Sequence, residues 1–228
     1  MKLILLVGFS KGLGKAMFDQ LLGSLQAGKV ELLAIGRNTN KLPIHESVTY
    51  LEVELLNKYC WDSLLSCIPN NLESLDVFIN AGVIEPIGAV GSLDNIQLEN
   101  AITVNYTSPL KLINQLVFIQ NKFNFFLNVY NISSGASSTP IEGWSLYCST
   151  KAAFKMFLDV TRKESEGRTA VTHIDPGVVD TDMQTTIRSK SSKDMKNVQQ
   201  FIQLKDSNTL KSPKEAAIEV LEKSGYKQ

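Results

Sequence analysis

The chain has 228 residues, 43% of them hydrophobic and 20% charged, which suits one large domain over residues 1–228 with a core of its own. Lys plus Arg (23) equals Asp plus Glu (23), and this balance argues against nucleic acid or an anionic membrane as the main partner. Cys60, Cys67 and Cys148 form no CxxC pair, which speaks against disulfides and structural zinc and fits a reducing cytoplasm; no metal site is expected.

In chain order, Leu3–Val7 is too short to span a membrane and is predicted to be a buried strand. Leu13, Met17, Leu21 and Leu25 then recur at helical spacing. Val30–Ile35 and Val48–Val53 read as the second and third strands. A short helix is expected around Trp61–Ile68, then a strand over Leu75–Ile79 and a long helix over roughly Gln97–Gln120. Phe125–Ile132 is the fifth strand candidate. Ala153, Met156, Phe157 and Val160 mark another helix, and Thr169–Ile174 the sixth strand. This alternation implies an α/β fold with helices on both faces of a doubly wound, Rossmann-type parallel sheet. Its strand order would be 3-2-1-4-5-6, with ligands at the carboxyl ends of the strands. Ser189–Lys196 reads either as a solvated loop or as part of a lid.

Gly8-Phe9-Ser10-Lys11-Gly12-Leu13-Gly14 joins the first strand to the first helix. Its glycines allow a tight turn and close approach to a pyrophosphate, which the free N–H groups and dipole of the helix would favour. Ribose preference is usually set after the second strand, where a carboxylate suits NAD. Here Gly36 is followed by Arg37, which together with Lys11 could hold a 2′-phosphate. The pair favours NADP(H).

Tyr147 and Lys151 are four residues apart and share a helix face. A lysine cation, aided by an oxidised nicotinamide, is expected to lower the tyrosine pKa and fit it for proton exchange with a carbonyl. Ser134, thirteen residues before Tyr147, follows the fifth strand and could donate to the substrate oxygen. Pro109 cannot donate to the carbonyl of Asn105, four residues back, so a kink is expected there. The freed carbonyl could hold a water that reaches Lys151.

Taken together these residues resemble the short-chain dehydrogenase/reductase family over nearly the whole chain. The marks are Gly8, Gly12 and Gly14, then Asn80-Ala81-Gly82, Asn105, Ser134, Tyr147 with Lys151, and Pro176-Gly177 with Val179 and Thr181. The resemblance implies hydride transfer to a carbonyl carbon. Tyr147 would be the acid, Ser134 would polarise the oxygen, Lys151 would bind the nicotinamide ribose and tune Tyr147, and Asn105 would complete a proton relay. Val179 and Thr181 would meet the carboxamide, and Ser10, Leu13, Glu54 and Leu55 would border the cofactor. Homodimers or homotetramers are implied as well. Gly143–Lys151 and Pro176–Gln184 are similar to the matching stretches of sepiapterin reductases and bacterial benzil reductases. That likeness implies a ketone next to another carbonyl as substrate, with Trp144 and Met183 lining an apolar pocket.

Three positions depart from the family pattern: Val7 before the first glycine, Ile79 before Asn80, and Glu54 in place of the usual aspartate. His173 is expected to be a core residue. The sequence stops at Tyr226-Lys227-Gln228, where sepiapterin reductases usually continue into a final strand, so that strand could be missing and a pterin-anchoring aspartate has no counterpart. A non-catalytic cofactor-sensing regulator of the same fold would be expected to have a broken Tyr147–Lys151 pair. A dehydrogenase working mainly on alcohols would fit Lys11 and Arg37 less well.

Overall fold

The computed structural model describes residues 1–26, 29–37, 39 and 44–226. Its first part carries β1 (Lys2–Val7), α1 (Gly12–Leu22), β2 (Val30–Gly36), β3 (Val48–Glu52) and β4 (Ser74–Ile79). Next come α2 (Asn95–Ile102), a π-helical turn (Thr103–Thr107) and α3 (Ser108–Phe123). These are followed by β5 (Phe126–Ile132), α4 (Ser145–Glu164), β6 (Thr169–Ile174), α5 (Asp182–Arg188), α6 (Val198–Asp206) and α7 (Pro213–Lys223). The strands form one sheet in the order β3-β2-β1-β4-β5-β6, and every ladder is parallel.

Parallel sheets need cover on both faces, and the sequence of β1 supplies it. Side chains alternate between faces along a strand. Leu3, Leu5 and Val7 pack with Leu112 and Leu116 of α3 and Leu158 of α4. Ile4 and Leu6 pack on the other face with Met17 and Leu21 of α1 and Ala217 and Val220 of α7. Each fully buried leucine contributes about 1.5–3 kcal/mol.

Two local expectations are corrected. Only Leu64–Cys67 of the Trp61–Ile68 stretch is helical, as one 3-10 turn; buried Trp61 donates its indole N–H to Ser108 O instead (2.8 Å). On α4 the inward stripe is Tyr147, Thr150, Lys151, Phe154, Leu158 and Thr161, whereas Met156 and Val160 face outward. At 3.6 residues per turn those two positions cannot share a face with Phe154 and Leu158. The expected long helix is present, capped by the side chain of Asp94, which accepts from Gln97 N at 2.9 Å. It is interrupted by the π-turn, where Ser108 N–H donates to Thr103 O. Pro109 lacks an N–H, so neither Val104 nor Asn105 can receive a backbone bond from it.

The register places Val7, Ile35, Ile79 and Asn131 in line across the sheet, with Ile132 opposite Ile174. The segments after these strands therefore meet at one rim. At the opposite rim, Tyr226 donates to the buried carboxylate of Asp76 (2.6 Å), which Lys2 also approaches at 2.9 Å. Among the described residues no strand follows α7; Lys227 and Gln228 lie outside them.

Candidate active site

The turn after β1 is shaped by close approaches. Gly8 adopts φ +87°, and a Cβ there would lie 2.7 Å from Ala81 N. A Cβ on Gly14 would lie 1.8 Å from Gly8 O. Asn80 Nδ2 donates to that same oxygen at 2.7 Å, which ties the turn to the end of β4. Gly12, at φ +56°, faces Thr181, whose Cγ2 would be 3.2 Å from a Cβ there. The first helix has no side-chain cap and no acidic residue in its first turn. Its N–H groups and dipole thus suit the pyrophosphate of a dinucleotide, and the residues present fit such a group.

The two cations singled out for a 2′-phosphate both face carboxylates. Arg37 Nη1 lies 3.8 Å from Glu54 Oε2, and Lys11 Nζ lies 3.3 Å from Asp182 Oδ2, all four side chains being exposed. Exposed pairs of this kind contribute little and are readily exchanged. Ser10 is exposed at the turn. Leu13, Leu55 and Val179 pack their side chains against the core, leaving their backbones to meet a cofactor.

Ser134, Tyr147, Lys151 and Asn105 converge beside this turn. Ser134 follows β5, its Oγ accepting from Ala136 N at 3.2 Å, and its hydroxyl favours ionisation of the Tyr147 phenol. Lys151 is buried and donates from Nζ to Ile132 O at 2.8 Å; the same nitrogen is 5.6 Å from the Tyr147 ring centre. The Asn105 side chain clamps Val83, accepting from its N–H at 2.8 Å and donating to its carbonyl at 2.7 Å. A Cβ on Gly82 would sit 3.3 Å from Asn105 Oδ1 and 3.9 Å from Lys151 Nζ. Glycine after Ala81 thus leaves room for the Asn105 side chain.

The expected lowering of the Tyr147 pKa is not found in the free protein. Burial pushes the phenol up to about 12, the Ser134 hydrogen bond opposes this, and the charge of Asp175 adds to it. Burial likewise brings Lys151 down to about 8, against the pull of Asp175. The physical reason is burial, which disfavours the phenolate, while the Lys151 ammonium donates to the β5 backbone. Asp175, directly after β6, is a site residue that the sequence motifs did not reveal.

Above Tyr147 lies an apolar wall. Trp144 meets Tyr147 edge-on at 5.8 Å and stacks obliquely on Phe201 at 5.3 Å. Ile84, Ile87, Ala136, Ile187 and Met195 complete the buried cluster, with Met183 at its margin. Ser189–Lys196 covers this cluster: Met195 is buried, and a Cβ on Gly143 would be 2.6 Å from Asp194 O. Lys190–Glu85 (3.2 Å) and Lys196–Glu142 (2.8 Å) tether the segment. Met195, Val198 and Phe201 recur every three residues, a helical-face signal that could have marked the segment as packed. His173 is half-buried between Asn131 (3.0 Å) and Asp159 (3.3 Å), away from the cluster around Tyr147.

A family model described as short chain dehydrogenase matches residues 2–192. The chain belongs to the short-chain dehydrogenase family. This short-chain dehydrogenase is 33% identical over 221 residues to benzil reductase ((S)-benzoin forming) of Bacillus subtilis (strain 168), covering 93% of this chain and 89% of that one. It is 31% identical over 203 residues to sepiapterin reductase of Rattus norvegicus, covering 82% and 77%. The crystal structure of the KRED1-Pglu enzyme superposes with a TM-score of 0.84 at 27% identity, covering 98% of this chain and 94% of that one. The family makes this chain an oxidoreductase with a nicotinamide cofactor. Among the described residues no helix is long and apolar enough to cross a membrane, and no group of His, Cys, Asp and Glu could hold a metal ion.

Proposed function

We propose that this short-chain dehydrogenase is an NADPH-dependent carbonyl reductase acting on ketones next to a second carbonyl, apolar aromatic diketones such as benzil above all. The observation that carries this is the meeting of Ser134, Tyr147 and Lys151 beneath the apolar wall of Trp144, Ile187 and Met195. Bound NADPH supplies the hydride. Ser134 Oγ and the Tyr147 hydroxyl orient the carbonyl oxygen. As the carbonyl carbon gains the hydride, Tyr147 gives its proton to that oxygen. Lys151, held against Ile132 O, positions the ribose side and stabilises the resulting phenolate. A water on the Asn105 carbonyl completes the route by which the proton is restored. Lys11 and Arg37 hold the 2′-phosphate by exchanging their carboxylate partners for it. Cytoplasmic location and a homodimer or homotetramer belong to the same reading.

An apolar wall tolerates many aromatic shapes, whereas a pterin ring needs fixed polar partners. Benzil is therefore expected to be reduced with a higher kcat/KM than sepiapterin. Tyr147→Phe should lower kcat by about 10²–10⁴-fold while NADPH still binds. A Tyr147→Phe protein with near-normal kcat, or a clear preference for sepiapterin, would overturn the corresponding part of the reading.

A further inference from the structure

Asp180 lies between Val179 and Thr181, and Thr181 packs beside Gly12 of the glycine turn. Its backbone is fixed independently of its side chain. Asp180 N–H donates to Lys211 O at 2.9 Å, and Lys211 N–H donates to Val178 O at 3.2 Å, so the loop is stitched to the segment before α7. The carboxylate is left to hold two helices. Its Oδ2 meets Lys205 Nζ of α6 at 2.5 Å, and its Oδ1 lies 3.6 Å from Arg188 Nη2 of α5. The Arg188 side chain is 16% exposed, and among the described residues Asp180 is its one ion-pair partner.

Both helices carry part of the apolar wall. On α5, Arg188 directly follows Ile187, which is buried in the cluster with Trp144 and Tyr147. On α6, Lys205 comes four residues after Phe201 and shares its face, and the Phe201 ring lies 5.3 Å from that of Trp144. One turn of α6 thus reaches the wall with one side chain and the loop beside the glycine turn with another.

We propose that Asp180 is a positioning residue that sets substrate preference: by gripping Arg188 and Lys205 it holds α5 and α6, and with them the apolar wall, in register with the cofactor loop, so that aromatic diketones are favoured over small ones. The inference rests on the reductase reading, which places the ketone against that wall. An aromatic substrate binds a wall that is already placed without the cost of ordering it, whereas a protein whose wall is in place only part of the time binds more weakly by that fraction. A small diketone has no rings to lay against the wall and gains little from it. Removing the carboxylate leaves the Arg188 charge largely buried and uncompensated, a state relieved by moving α5 towards solvent.

The other ion pairs of this region do not do the same work. Lys190–Glu85 and Lys196–Glu142 tie the segment between the two helices to the loops after β4 and before α4. Lys11–Asp182 joins the start of α5 to the glycine turn, but both side chains are exposed, and Lys11 is the group that turns to the 2′-phosphate.

The test is steady-state reduction of benzil and of diacetyl with NADPH. Asp180→Asn should lower kcat/KM for benzil about tenfold, the order of one charge-assisted hydrogen bond, chiefly through KM, and change that for diacetyl by less than about twofold. NADPH affinity should hold, because the backbone bonds to Lys211 keep the loop in place. Asp180→Glu should restore most of the benzil rate. Lys205→Met removes the α6 arm at an exposed position and serves if Asp180→Asn folds poorly; it should show the same selective loss, and the two losses should not add in the double variant. In the cofactor-free protein, hydrogen exchange in peptides from α5 and α6 should quicken in Asp180→Asn while peptides from α1 stay as in the wild type. Equal losses for the two diketones, a matching loss of NADPH affinity, or unchanged exchange in α5 and α6 would each overturn the role. A wild-type protein that reduces neither diketone with NADPH would instead overturn the reductase reading, and the exchange measurement would still decide whether Asp180 holds the two helices.

Discussion

The indole N–H of Trp144 donates to Met195 Sδ at 3.2 Å, and the same ring meets Tyr147 edge-on. Through this bond the segment after α5 is coupled to the proton donor. Met195→Ala should therefore loosen the wall over the site. The protein should lose about 2–5 kcal/mol of stability, and KM for benzil should rise more than kcat falls. An unchanged KM with the same loss of stability would make Met195 a core residue and nothing more.

In the proposed reading, cofactor preference hinges on two exposed ion pairs. Arg37→Ala should weaken NADPH binding by about tenfold to a hundredfold, the value of one charge-assisted hydrogen bond, and should hardly affect NADH. Glu54→Gln should act in the opposite sense, because it frees the Arg37 guanidinium from the carboxylate 3.8 Å away. Its gain should stay small, about threefold, since exposed pairs are weak. Fluorescence titration with both cofactors decides this. Equal losses for NADPH and NADH in Arg37→Ala would assign that residue a structural role.

Gly14 is a packing requirement as much as a ligand-binding one. A Cβ there would sit 1.8 Å from Gly8 O and 2.5 Å from Asn80 Nδ2, so Gly14→Ala must push α1 away from the end of β4. The expected outcome is a destabilisation of about 1–3 kcal/mol, together with loss of the thermal stabilisation that NADPH gives the wild type. If NADPH raised the melting temperature of Gly14→Ala as much as that of the wild type, the turn would be more yielding than its contacts indicate.

Much of this was legible in the sequence because it depends on local rules. The continuous apolar run of β1 and the Gly8–Gly14 turn each follow from residue type and spacing, and the alternation of strands and helices implied the strand order and the crevice at its carboxyl rim. The Tyr147–Lys151 pair needs only the helical period. What escaped depends on contacts distant in sequence. The 3-10 turn at Leu64–Cys67 and the π-turn at Thr103–Thr107 are linked through Trp61 and Ser108, 47 residues apart. Asp175 comes beside Gly135 from another element, and a single carboxylate before a Pro-Gly carries no periodic signal. The ion pairs of Arg37 and Lys11 could not be read either, because their partners, Glu54 and Asp182, lie far off in the sequence.

The burial of Lys151 carries a stability cost with a defined pH dependence. Its folded pKa is about 8, against 10.5 for the ordinary side chain. Between these values the unfolded chain binds more protons than the folded one, so this group makes the protein more stable as pH rises. At neutral pH the burial of the ammonium costs about 3 kcal/mol, and the cost is progressively relieved from about pH 8 towards 10.5. Tyr147 adds the opposite trend only above pH 10, where the unfolded phenol ionises before the folded one. Lys151→Met keeps the length of the side chain and removes its charge. In the cofactor-free protein it should therefore be more stable than the wild type at pH 7, with the difference shrinking by pH 9.5. Chemical denaturation at the two pH values measures this directly. A difference that is the same at both would mean that Lys151 is well solvated in the folded protein, and that its bond to Ile132 O does not hold it in a dry site.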